Sequence, residues 1–123
     1  DGNLVNVIVD SNKTLTGSGS ITNALDIAGT KTLTANNGIK ISFANNGTTT
    51  GTINNAGIID GSLTNTANST IKTFNTGSIG GSIANNASAT IETLNVTSNV
   101  GSIANSGEIN TLTIQNGSNI ANG

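Results

Sequence analysis

The chain has 123 residues, a formal net charge of −2 from four Lys and six acidic side chains, and no Pro, Cys, Met, Trp, Tyr, His or Arg. Without His or Cys it lacks the usual base and thiol of nucleophilic catalysis and the usual ligands of zinc, and four scattered lysines with two phenylalanines make neither a basic patch nor an aromatic platform for nucleic acid. A hydrophobic fraction of 33% allows only a thin core, whereas a charged fraction of 8% is too low for a solvating disordered tail.

The length suits one domain, and the reading is of a single unit over 1–123. Residues 1–12 hold the densest apolar run, Leu4-Val5-Asn6-Val7-Ile8-Val9, which fits a first coil or a cap over an exposed strand edge. Lys13-Thr14-Leu15-Thr16 then returns as Lys31-Thr32-Leu33-Thr34, at an offset slightly shorter than in the later copies. Further on the offset becomes 20: Gly61-Ser62-Leu63-Thr64-Asn65 returns as Gly81-Ser82-Ile83-Ala84-Asn85 and as Gly101-Ser102-Ile103-Ala104-Asn105. Thr70-Ile71-Lys72-Thr73-Phe74 likewise returns as Thr90-Ile91-Glu92-Thr93-Leu94, and after a contraction of two residues as Ile109-Asn110-Thr111-Leu112. Asn119-Ile120-Ala121-Asn122-Gly123 stops inside a repeat.

A fixed period of this size marks a repeat architecture in which each unit buries its apolar face only against its neighbours. Gly and Asn recur too often for helical segments. Apolar residues fall into columns: Leu15, Leu33, Ile53, Ile71, Ile91 and Ile109 in one; Leu25, Phe43, Leu63, Ile83, Ile103 and Ile120 in another; Ile21, Ile39, Ile58 or Ile59, Ile79 and Val100 in a third. The expected fold is all-β: a right-handed parallel β-helix with about 18–20 residues and three short strands per coil.

Asn45, Asn65, Asn85, Asn105 and Asn122 each follow a second-column apolar residue by two, which predicts a stacked structural asparagine ladder. Thr14, Thr32, Thr50, Thr70 and Thr90 recur at nearly even offsets and predict a surface threonine ladder, the arrangement an ice-binding face needs. The charges of Lys72 and Glu92 interrupt its Thr-x-Thr pattern. Asp10-Ser11-Asn12-Lys13-Thr14 marks Asn12 as a glycosylation acceptor. Val7, Val9 and Ile120 are the apolar residues placed to meet in end-to-end stacking of separate chains. Asp1, Asp10, Asp26, Asp60, Glu92 and Glu108 do not superpose on the repeat, so no carboxylate pair for glycoside cleavage is expected, and neither a catalytic centre, a metal nor a cofactor is read from the chain.

Gly51-Thr52-Ile53-Asn54-Asn55-Ala56-Gly57-Ile58-Ile59 and Gly101-Ser102-Ile103-Ala104-Asn105-Ser106-Gly107-Glu108-Ile109 resemble the passenger domains of bacterial type V autotransporters in style and period. That resemblance implies a right-handed β-helix on the bacterial cell surface or in the extracellular space, acting in adhesion, aggregation or biofilm. The partners it implies are further solenoid repeats, other copies, or host and matrix glycans or proteins, with no membrane insertion by this segment. A self-assembling extracellular filament subunit and an ice-binding protein are the alternatives read from the residues.

Overall fold

A computed structural model describes residues 3–9, 11, 13–15, 20–27, 32–41, 52–65 and 67–122. Every regular element in it is a strand: β1 (Asn3–Val9), β2 (Lys13–Leu15), β3 (Ser20–Ile27), β4 (Thr32–Ile41), β5 (Thr52–Asn55), β6 (Ile58–Asn65), β7 (Thr70–Asn75), β8 (Ser78–Asn85), β9 (Thr90–Val96), β10 (Val100–Asn105), β11 (Glu108–Ile114) and β12 (Ile120–Asn122). Ile, Val and Thr lose little rotamer freedom in extended chain, and the Gly and Asn between them break the run before a helical nucleus could form.

The strand order is β11-β9-β7-β5-β3-β4-β6-β8-β10-β12, with β1 on β3 and β2 on β4. All these pairings are parallel. Apart from β3, which pairs with both β5 and β4 and so joins the two, odd-numbered strands stack on one side and even-numbered strands on the other, and the chain crosses between them once per half-coil. This is a β-solenoid, the all-β parallel fold that the repeat predicts.

In place of three short strands per coil, the chain runs as two, and bends within a strand do the work of the third corner. In β8, Ile79 and Ile83 are both buried while Gly80 is exposed and Gly81 and Ser82 are half-buried between them. The β6–β8 register breaks at the same place, pairing Ile59 with Ile79 and Leu63 with Ile83 but nothing between. One bent strand thus carries two of the expected columns. Glycine is required at the bend because the coils approach closely: a Cβ on Gly81 would lie 2.6 Å from the carbonyl oxygen of Gly61, and one on Gly101 would lie 2.7 Å from that of Gly80.

The core lies between the two stacks. Ile53, Ile59, Leu63, Ile71, Phe74, Ile79, Ile83, Ile91, Leu94, Val96 and Val100 form one cluster, each at most 2% exposed, with Val7, Ile103, Ile109 and Ile120 packed against it. Each fully buried Ile or Leu contributes up to about 1.5–3 kcal/mol.

Register redraws the expected columns. Ile71, Ile91 and Ile109 stack as read. Ile53, however, pairs with Phe74 and not with Ile71. It belongs to a column absent from the sequence reading that runs Val7, Leu25, Ile53, Phe74, Leu94, Leu112. Leu63 pairs below with Ile39, whereas Phe43 lies outside the described residues. Ile120 pairs with Val100, not Ile103, and so moves to the column of Leu33, Ile59 and Ile79. The cause is uneven coil length: the chain takes a longer path from Leu33 to its partner Ile59 than from Leu63 to its partner Ile83.

Candidate functional site

Among the described residues the interior holds a polar column, and apart from it a buried Asn55 whose Nδ2 donates to the Thr76 carbonyl at 2.6 Å. Asn65, Asn85 and Asn105 are in register, and Asn65 Nδ2 donates to Asn85 Oδ1 at 2.9 Å as Asn85 Nδ2 donates to Asn105 Oδ1 at 2.8 Å. Asn65 and Asn85 are at most 1% exposed. Their amides also reach backbone carbonyls on the facing side of the coil: Asn65 Nδ2 donates to Ser69 at 3.4 Å and Thr90 at 3.0 Å, and Asn85 Nδ2 to Ala89 at 3.3 Å and Glu108 at 3.0 Å. The column therefore fastens the turn between the even and odd stacks, where Asn68 and Ser88 adopt left-handed φ of 63° and 64°. Such buried carboxamides are structural, because their donors are already spent on carbonyls.

The ladder is shorter than the sequence reading made it. Asn122 pairs with Ser102, not Asn105, because the last coil reaches β10 at Ile120 opposite Val100. Asn45 lies outside the described residues, and the residue paired with Asn65 from below is Ile41. Among the described residues Asn65 Oδ1 accordingly has no hydrogen-bond partner although it is buried.

The expected threonine ladder does not form as read. Thr14 pairs with Thr34, Thr32 with Ile58, and Thr50 lies outside the described residues; only Thr70 and Thr90 stack, and Thr90 then meets Glu108. The literal repeat of Lys13-Thr14-Leu15-Thr16 falls two positions short of the structural offset, since Lys13 sits beside Leu33 and not beside Lys31. A slip of two keeps side chains on the same face but moves every partner along the strand.

Another threonine column does form. Thr52, Thr73, Thr93 and Thr111 are paired through β5, β7, β9 and β11, and two residues on, Asn54, Asn75, Asn95 and Thr113 are paired in the same way. Asn54, Thr111 and Thr113 are exposed, and Thr73, Asn75, Thr93 and Asn95 half-buried. Asn95 Nδ2 donates to Asn75 Oδ1 at 2.9 Å, and Asn75 Nδ2 to Asn54 Oδ1 at 3.4 Å, which orients the outer amides. The two columns carry no charged residue over these four strands, because Lys72 and Glu92 fall one position earlier, on the far side of the bend between Ile71 and Phe74. The phrase Thr-x-Asn at 52–54, 73–75 and 93–95 is the signal in the sequence that marks this face.

On the even side, Ser62, Ser82 and Ser102 occupy the equivalent place beyond the glycine bend, and Ser62 Oγ accepts from the Ser82 backbone N–H at 3.0 Å. At the corner between β7 and β8, Gly77 N donates to Thr97 Oγ1 at 2.8 Å, and Ser78 and Ser98 share a hydrogen bond of 2.9 Å. Hydroxyls therefore tie successive coils together at the glycine bend and at the corner between β7 and β8.

The remaining candidates are dispersed. Asn12 lies outside the described residues. Register places Asp26 beside Asn54, Asp60 beside Thr34, and Glu108 beside Thr90, so these carboxylates occupy separate columns. Among the described residues no group of three or more His, Cys, Asp or Glu gathers to hold a metal ion, and no helix is long and apolar enough to cross a membrane. Val7 pairs with Leu25 and Val9 with Ile27, while Ile120 pairs with Val100 on the opposite stack. Comparison with protein-family models, with curated proteins and with solved structures finds no match.

Proposed function

We propose that this chain is a structural and adhesive element of a secreted bacterial surface protein, a stiff rod that presents a flat polar face for adhesion or aggregation, as autotransporter passengers do. The observation that carries this reading is the paired Thr and Asn columns of β5, β7, β9 and β11, an uncharged array repeated at the spacing of the strands, about 4.8 Å, in which Asn54, Thr73, Asn75, Thr93, Asn95, Thr111 and Thr113 are exposed or half-buried. Each hydroxyl or amide supplies a weak contact. Several held rigidly at fixed spacing bind a repetitive partner, such as a matrix or cell-surface glycan, through avidity without a deep pocket.

The test is retention of the chain on immobilised glycans and on bacterial aggregates, compared with a Thr73→Glu, Thr93→Glu double variant. Those side chains lie on the outer face, so the fold survives while the face gains two charges. Loss of retention with unchanged thermal unfolding supports the reading, and retention undiminished by the two charges rejects it.

The same column favours a second reading, ice binding, because the charges that interrupted the expected threonine pattern lie off this face. Thermal hysteresis that disappears in the same double variant would select it over glycan adhesion.

A further inference from the structure

β1 and β11 stand at opposite ends of one stack of parallel strands, and three columns run without interruption from one to the other. Register carries Asn6 through Ala24, Thr52, Thr73 and Thr93 to Thr111; Val7 through Leu25, Ile53, Phe74 and Leu94 to Leu112; and Ile8 through Asp26, Asn54, Asn75 and Asn95 to Thr113. Both end strands carry exposed apolar side chains: Leu4, Val5 and Ile8 are 46%, 60% and 76% exposed at one end, Leu112 and Ile114 48% and 51% at the other. One level inward, under the cover of β11, Leu94 and Val96 are fully buried.

We infer that β11 is a docking edge for β1 of a second copy of this chain. The joint repeats the contact already made between successive coils, with Asn6 set over Thr111, Val7 over Leu112 and Ile8 over Thr113. The inward Val7, already packed on its own core, then completes the burial of Leu112 as Leu112 completes that of Leu94. Because β1 and β11 are different surfaces joined by translation along one axis, the contact is head-to-tail and does not close: it propagates into a filament. This inference rests on the register of the solenoid and is independent of what its lateral face binds.

The even stack adds less. Register carries Lys13 through Leu33, Ile59, Ile79 and Val100 to Ile120, so a second copy brings an ammonium-bearing residue to the position over Ile120. An edge lysine opposes strand addition. The joint is therefore borne by the odd side, and Lys13 keeps it weak enough to be reversible.

Sedimentation velocity and electron microscopy over a concentration series test the joint. The wild-type chain assembles into rods several copies long. Leu112→Lys with Ile114→Lys raises the concentration for half-assembly about tenfold or more, because two charges enter the buried contact, while amide protection in β7 and β9 shows the body intact. Ile58→Lys, on a lateral side chain 42% exposed, leaves assembly unchanged, and Lys13→Leu lengthens the rods. Copies blocked at β11 mixed with copies blocked at β1 by Leu4→Lys with Val7→Lys give pairs and nothing longer. Folded wild-type chains that remain single at every concentration overturn the inference in favour of further coils of the same polypeptide as the natural cover, and rods indifferent to Leu112→Lys with Ile114→Lys overturn it as well.

Discussion

Asn85 donates through Nδ2 to Oδ1 of Asn105 at 2.8 Å, one coil along the axis, while the same amide reaches the Ala89 and Glu108 carbonyls on the facing side. One side chain thus holds the coil above and the turn beside it. Asn85→Ala removes these donors, leaving the carbonyls of buried Ala89 and of Glu108 without them, and removes the acceptor 2.9 Å from the Asn65 amide, which keeps the Thr90 carbonyl. The expected loss is about 2–4 kcal/mol, since each unsatisfied buried group costs about 1–3 kcal/mol. Urea denaturation reads it as a lower midpoint with an unchanged slope. Asn95→Ala, which removes an outer rung, costs less than about 1 kcal/mol.

Gly81→Ala tests the close approach of coils at the bend. Its Cβ would meet Gly61 O at 2.6 Å and the Ser62 hydroxyl more closely still, so backbone must move. The variant is destabilised by about 1–3 kcal/mol. Gly117 supplies the contrast: a Cβ there meets nothing within 4 Å, and its φ of +85° alone sets the cost of Gly117→Ala at about 1–2 kcal/mol. Because that conformation suits Asn, Gly117→Asn recovers part of the loss whereas Gly81→Asn recovers none. Differential scanning calorimetry of the four variants separates steric from conformational cost.

Ser88 holds a φ of 64° where the equivalent turn one coil earlier has Asn68 at 63°. Serine tolerates that region less well than asparagine or glycine. Ser88→Asn is expected to stabilise the chain by about 0.5–1 kcal/mol, visible as an upward shift of the thermal midpoint. A lower midpoint would show that the serine makes a contact worth more than the relief of its backbone.

Among the described residues Phe74 is the largest fully buried side chain, set between Ile53 below and Leu94 above. Phe74→Ala costs about 3–5 kcal/mol, and Phe74→Leu, matching the Leu94 rung, costs well under half of that. Equilibrium unfolding of both variants provides the check.

From β6 onward the literal repeat was enough to place Leu63, Ile83 and Ile103 over one another, and Asn65, Asn85 and Asn105 with them. Before β6 it was not. The path from Leu25 to its partner Ile53 is longer than that from Ile53 to its partner Phe74, so no single offset finds both. A matched phrase such as Lys-Thr-Leu-Thr fixes which face a residue occupies, since alternation survives a shift of two, but not which residue lies beneath it. The Thr-x-Asn face is present in the sequence but hidden by a related effect: the bend between Ile71 and Phe74 changes the spacing of inward residues from two to three, and so divides Thr70 and Lys72 from Thr73 and Asn75. The short ladder at Asn122 arises from the same effect, a last coil out of step with the one before it.

The backbone ladders of this solenoid join each strand to the strands one coil above and below it. Stability is then a sum of nearest-neighbour couplings along a line, and loss of order starts at the ends and travels inward coil by coil. Amide exchange should be slowest in β7 and β9 and faster toward β11 and β12. A protease meets the same gradient: it can shorten the rod from its tips, but a cut in the middle requires two couplings to open at once. Length itself is therefore the source of durability, and any coil added at either end lengthens the lifetime of those already in place.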